Sequence, residues 1–253
     1  MTNKLKCLFA VGFLMLLVNS CSKKDTLSGI TVGNTENTKA VGASARDLLS
    51  GSSYTSIIIE IQYMPGFAPD ATAINNLVNF INTLANKPGG ITVVQSQVAA
   101  GGKAVYTLDD VAAIEKANRT KYTSGSQIAI NFLYLDGTYT DDSVLGFAYR
   151  NTSMCIFAKK VISSSGGIGQ VSRSKLESTI LEHEMGHILG LVNLGSAMIT
   201  AHEDPSHEKH CSNTNCLMYY QVQTTGIMGT LMNGTIPALD ANCRADLQAN
   251  GGK

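Results

Sequence analysis

The sequence predicts an α+β fold, with an ordered layer of strands and helices in its first part and a largely irregular second part. Three observations carry this. Between Ser56 and Ile162, stretches with the two-residue period of a strand alternate with stretches at helical spacing. From Ser174 to Leu189 a helix is marked by its own start and stop signals. After Gly190 the periodicity dissolves into a segment bearing His, Pro, Asn and Cys, and only Pro237 to Leu247 again has the pattern of a helix.

At 253 residues the chain can hold one domain with a substantial core. Its first stretch is an address rather than part of the fold. Lys4 and Lys6 precede an uncharged run from Cys7 to Val18, the basic and apolar regions of an export signal, too short for a comfortable membrane span. The run ends in Val18-Asn19-Ser20-Cys21, which resembles a bacterial lipobox and implies that residues 1–20 are removed and Cys21 is lipidated. Residues 21–53 are rich in Ser, Thr, Gly, Asn and Lys, which predicts a lipidated tether, with the folded domain spanning residues 54–253.

Within that domain, Ser56 to Met64 sets Ile57, Ile59, Ile61 and Tyr63 on one face and Glu60 and Gln62 on the other, a strand pattern. Asp70 to Ala85 follows as a helix, with Ile74, Leu77, Val78, Ile81 and Leu84 on one side and Lys87-Pro88-Gly89-Gly90 as its stop. A second strand is predicted from Ile91 to Val98 and a short helix from Asp109 to Asn118, with Val111 and Ile114 inward. Gln127 to Leu135 is nearly all apolar, as a central strand covered on both faces would be. Val144 to Ile162, with Gly146 and Cys155, supplies an edge strand or hairpin, and Ser163 to Gly169 is a loop that lacks the lysine of a phosphate cradle. Ser174-Lys175-Leu176-Glu177 has the form of a capping box and starts the next helix, which Gly190 ends.

Lys plus Arg and Asp plus Glu number 19 each, and loss of Lys4 and Lys6 leaves the mature chain slightly acidic. No basic field exists to recruit nucleic acid. With Cys7 removed and Cys21 given to lipid, Cys155, Cys211, Cys216 and Cys243 remain, an even number that permits two disulfides in an exported protein.

The helix at 174–189 carries His183-Glu184-Met185-Gly186-His187. Two histidines four residues apart project from one face about a turn apart, so both imidazoles can reach one zinc ion. Glu184 stands beside that face, where its carboxylate can serve as a general base toward a water whose pKa zinc lowers to about 7. A catalytic zinc needs a third protein ligand and an open position. In the segment after Gly190, His202 and His207, or one of the carboxylates Glu203 and Glu208, could supply it.

The glycine three residues after His187 extends the motif to HExxHxxG, which resembles the metzincin clan of metallopeptidases, whose helix breaks at that glycine. The clan's usual third histidine is replaced here by Asn193. Further on, His210-Cys211-Ser212-Asn213-Thr214-Asn215-Cys216-Leu217-Met218 is similar to the archaemetzincin pattern H-C-x4-C-x-M. That resemblance implies His183, His187 and His210 as ligands, Glu184 as base and Met218 as the residue of the methionine turn beneath the metal. It also implies a metzincin-like architecture: a mixed sheet with helices above, the active-site helix, an irregular lower half and a C-terminal helix. Tyr220, two residues after Met218, stands where some metzincins place a tyrosine that contacts the zinc or the oxyanion, and a core or rim aromatic is the competing assignment. The later cysteine pair of an archaemetzincin structural zinc site is missing, so Cys211 and Cys216 are expected in a disulfide.

The function expected from these residues is that of a monomeric, lipid-anchored, zinc-dependent endopeptidase of the bacterial cell envelope. Its partners would be a protein or peptide substrate and the membrane, and the Gly146 strand is the expected place for a substrate peptide to add. A non-catalytic surface-binding lipoprotein that keeps the fold is the alternative, and a hydrolase of other amides would use the same residues.

Overall fold

The computed structural model describes residues 35–253. The export signal, the lipobox and Cys21 lie outside the described residues. After a 3-10 turn (Thr35–Thr38), the order is α1 (Ala45–Leu49), β1 (Ser56–Tyr63), α2 (Ala71–Leu84), β2 (Ile91–Gln97), β3 (Val105–Tyr106), α3 (Leu108–Asn118), β4 (Gln127–Tyr134), β5 (Thr138–Tyr139), β6 (Gly146–Arg150), β7 (Ser153–Ile156), α4 (Ala158–Ser163) and α5 (Arg173–Ile188). The lower half holds a short hairpin, β8 (Glu203–Asp204) and β9 (His207–Cys211), two 3-10 turns (Tyr220–Gln223 and Thr225–Ile227), α6 (Met228–Asn233) and α7 (Ala241–Ala249). Among the described residues no helix is long and apolar enough to cross a membrane.

The main sheet has the order β2-β1-β4-β7-β6, parallel throughout except for β6, which runs antiparallel at the edge. Alternation along β1 explains its two faces. Ile57, Ile59 and Ile61 join Ile130 and Phe132 of β4 in a core against Leu77 and Ile81 of α2 and Ile180 and Leu181 of α5. Each such burial contributes about 1.5–3 kcal/mol. On the other face Glu60 is buried and accepts from the Thr120 and Lys121 amides and from Asn131 Nδ2. The α+β organisation expected from the sequence is therefore observed, with helices on the sheet above and irregular chain below α5.

Edge strand β6 is held in place through α3. Arg150 Nη1 lies 2.9 Å from Glu115 Oε2, while the other oxygen of Glu115 takes Arg119 Nη1 at 2.7 Å and Ser153 Oγ at 2.6 Å. Glu115 is almost wholly buried, so removing one partner of this network leaves an unpaired charge in the interior.

Three expectations are corrected. The tether does not extend to residue 53: Leu48 and Leu49 of α1 are fully buried in the main core, and Lys87 Nζ clasps the carbonyls of Asp47, Ser50 and Tyr54 at 2.6 Å each. Polar neighbours hid these two leucines in an otherwise tether-like composition. Helix α5 starts from Ser172, whose Oγ accepts from the Lys175 amide at 3.3 Å, so no capping box forms at Ser174. Glu177 instead accepts from the Asp70 amide, Tyr134 Oη and Arg173 Nε, tying α5 to α2 and the sheet. The last third of the extended region is the short helix α4.

Candidate metal centre and active site

Helix α5 ends in a glycine-dependent turn. Gly190 adopts φ +83°, its amide donates to His187 O at 2.9 Å, and the Leu191 amide donates to Gly186 O at 3.0 Å. This paired pattern satisfies the last carbonyls of the helix and sends the chain beneath it. The lower half then returns a histidine and a methionine to the face that carries His183 and His187.

His183 Nε2 and His187 Nε2 are 3.1 Å apart. Two nitrogens sharing a tetrahedral zinc at about 2.0–2.1 Å would be separated by roughly 3.3 Å. His183 Nδ1 lies 2.7 Å from Leu217 O, so that nitrogen carries the proton and Nε2 keeps its lone pair. His210 repeats the arrangement: Nδ1 faces Glu208 O at 3.1 Å, and Nε2 is buried with no hydrogen-bond partner. Its ring stacks on His183 with centroids 5.4 Å apart and meets His187 edge-on at 5.0 Å. One ligand atom from each of the three histidines lies within 4.8 Å of the others. Burial lowers the pKa of His183 to about 3 and also lowers those of His187 and His210, which keeps all three neutral, the ligating form.

Glu184 is fully buried beside this cluster. Its Oε2 accepts from the Ala148 amide of β6 at 2.7 Å, and Oε1 has no partner. Burial raises its pKa to about 8, against the lowering effect of the Ala148 hydrogen bond. A carboxylate so placed is a strong proton acceptor. Below the helix Met218 is fully buried, and a Cβ on Gly186 would meet its Sδ at 2.4 Å. The close approach of Met218 is therefore what requires glycine inside the motif.

The other sequence candidates lie elsewhere. Asn193 is exposed at φ +64° and lines a separate hollow with Glu203 and Asp204. His207 Nδ1 pairs with Asp204 at 2.8 Å, and its ring stacks on Tyr220 with centroids 3.5 Å apart. Tyr220 Oη accepts from Gln221 Nε2 at 3.2 Å. His202 is buried against Asp246, with Nε2 2.8 Å from Oδ2. Glu208 lines the cleft of the histidine cluster, but its side chain is exposed. Of the third-ligand candidates, only His210 joins His183 and His187 in a cluster of possible ligand atoms among the described residues.

None of Cys155, Cys211, Cys216 and Cys243 forms a disulfide, which corrects the expected Cys211–Cys216 bridge. Cys155 is buried in β7. Cys211, Cys216 and Cys243 gather with Asp240, one donor atom from each within 4.8 Å, and His202 Nδ1 is 3.4 Å from Cys211 Sγ. Cys216 and Cys243 sulfurs stand 3.6 Å apart, near the spacing of ligands around one ion and far beyond a disulfide bond. Hydrogen bonds from Cys211 and Cys243 hold the Cys216 thiol down, to about 4. Sequence reasoning missed this set because Cys243 and Asp240 are remote in the chain; an unpaired third cysteine was the available signal. Nor could it supply the two backbone groups, Ala148 N–H and Leu217 C=O.

The histidine cluster and Glu184 open into a hollow of about 460 Å³ under β6, lined also by Phe147, Tyr149 and Gln223.

No protein-family model matches the chain. No curated protein matches it either. Among solved structures it is similar to archaemetzincin from Methanopyrus kandleri, at 15% identity and a TM-score of 0.49, over 79% of this chain and 96% of that one. It is also similar to metalloproteinase-II from Bacteroides fragilis, at 16% identity and a TM-score of 0.44, over 78% of this chain and 54% of that one. Likeness at this level carries no argument about chemistry, which rests on the geometry of the two clusters.

Proposed function

We propose that the protein is a zinc-dependent hydrolase of peptide bonds, with His183, His187 and His210 as the metal ligands and Glu184 as the general base. One observation carries the reading: two buried imidazoles and a third, half-buried one, all neutral, converge beside a buried carboxylate whose Oε1 has no partner. Orphaned buried polar atoms are costly, and a bound cation together with substrate would satisfy them. Zinc, when bound, supplies Lewis-acid polarisation and an acidified water. Leu217 fixes the His183 tautomer, and Ala148 fixes one oxygen of Glu184. The other oxygen is then free to take a proton and to return it to the leaving amine. Asn193 is exposed, and a buried Glu184 oriented by the Ala148 amide favours catalysis over a purely binding lipoprotein.

The cysteine cluster supplies a second donor set, which we assign to a structural zinc through Cys211, Cys216 and Cys243, with Asp240 beside them. The export signal and lipobox favour an enzyme anchored by Cys21 in a bacterial envelope. The test is hydrolysis of a mixture of synthetic peptides by the zinc-loaded chain. Chelation should abolish it and added zinc restore it; hydrolysis untouched by chelation would exclude this function.

A further inference from the structure

The free edge of β6 is where a substrate backbone would add, yet it is engaged at both ends. At its start the Leu145 amide donates to Gln223 O at 2.9 Å and the Thr225 amide to Ser143 O at 3.0 Å, with Val144 and Thr224 bridged antiparallel. The segment following the methionine turn thus occupies the position that an incoming strand would need there. Just past its end the Asn151 amide donates to Lys39 O at 3.1 Å, and Asn151 Nδ2 donates to Glu36 O at 2.7 Å. Residues 36–42 then cross from this upper rim to the lower one. Ala40 and Val41 line the hollow, and Gly42 packs so closely on the loop after α5 that a Cβ there would meet Leu194 O at 2.0 Å.

Between these two latches only Gly146–Arg150 remains, about 16 Å of strand. In its middle the Ala148 amide is already turned to Glu184, and a bulge between Ala148 and Arg150 breaks the ladder register. Antiparallel addition needs free donors and acceptors at every second residue along an edge. This edge offers room for one or two such pairings. The site is accordingly a basin of about 460 Å³ walled at both ends, in the size range of small-ligand sites, and not a groove through which a chain can thread.

From this we infer that the substrates are short peptides of about three to five residues, which enter from the open face of the basin, and that longer unfolded chains are excluded by the Asn151–Lys39 and Leu145–Gln223 latches. The inference rests on the hydrolytic reading above but is tested separately through binding. It limits the expected role of the Gly146 strand to a single short register.

The experiment uses the zinc-loaded full chain and a ladder of blocked peptides of one sequence repeated to three, four, six, ten and fifteen residues. Binding to Glu184→Gln is measured by calorimetry and hydrolysis by the unchanged protein is followed by mass spectrometry. Affinity and kcat/KM should peak at three to five residues and fall at least tenfold by ten. Asn151→Ala, which loosens one latch, and Thr225→Pro, which deletes the other latch's amide at a position where a helical turn tolerates proline, should each raise the ratio of ten-residue to four-residue binding at least fivefold. Circular dichroism identifies which variants fold, and either one suffices. Equal or rising affinity with length in Glu184→Gln overturns the inference, as does an absence of binding at every length. Selective binding of short peptides without hydrolysis would uphold it and sink the hydrolytic reading instead.

Discussion

The amide of Ala148 donates to Glu184 Oε2 at 2.7 Å, so a backbone group of the edge strand aims the proposed base. Glu184→Gln keeps an oxygen to accept that hydrogen bond but cannot take a proton. We expect kcat/KM for a short peptide to fall roughly 10²–10⁴-fold while zinc content is unchanged, as measured by kinetics and elemental analysis on the same sample. Retained activity would remove Glu184 from the chemistry.

Gly186 and Met218 form the second defining contact. In Gly186→Ala the new Cβ meets Met218 Sδ at 2.4 Å, which should cost about 1–3 kcal/mol of stability. Met218→Ala alone leaves a cavity and costs about 2–5 kcal/mol. The double variant should be less destabilised than the sum by at least about 0.5 kcal/mol, read from denaturant unfolding. Strict additivity would mean the two residues do not touch.

Glu182, on the far side of α5 from the site, lines a hollow with Asn76 and Arg244 and is 8% exposed. Burial raises its pKa from 4.5 to about 7. A carboxyl whose folded pKa lies above its unfolded one binds more protons when folded, so its contribution to stability is lost as pH rises from about 4.5 to 7. Glu182→Gln should therefore be more stable than the parent at pH 8 by about 2 kcal/mol and nearly equal to it at pH 4.5. Unfolding midpoints at the two pH values decide this, and the same difference at both would rule out the titration.

The cysteine cluster predicts a second metal. The unchanged protein should carry two zinc ions per chain, and Cys216→Ser should carry one and unfold at lower temperature. Two ions retained in Cys216→Ser, or a disulfide among Cys211, Cys216 and Cys243 detected by mass spectrometry of the alkylated protein, would contradict the assignment.

Much of the upper half was legible in the sequence because its signals are local. Ile57, Ile59 and Ile61 alternate against Glu60 and Gln62, and the helix expected from Asp70 is α2, with Asp70 accepting from the Thr72 and Ala73 amides at its start. His183, Glu184 and His187 share one helix, so their spacing alone brings them together. His210 was reached only through its resemblance to H-C-x4-C-x-M, since nothing in the period of an irregular segment tells which of His202, His207 and His210 turns inward. His202 illustrates the limit: its partner Asp246 lies on α7, a pairing that depends on how the whole lower half closes. The Ser174 cap failed because Ser172 competes for the same helix start and Glu177 is drawn away by Arg173, Asp70 and Tyr134.

The proposed metal centre is complete only with its third ligand. Zinc titration of His210→Ala and Asn193→Ala, each against the unchanged protein, tests it directly. His210→Ala should bind one zinc ion fewer and lose hydrolysis, while Asn193→Ala keeps both its metal and its activity. Full zinc occupancy and hydrolysis in His210→Ala, with metal lost from Asn193→Ala, would contradict it.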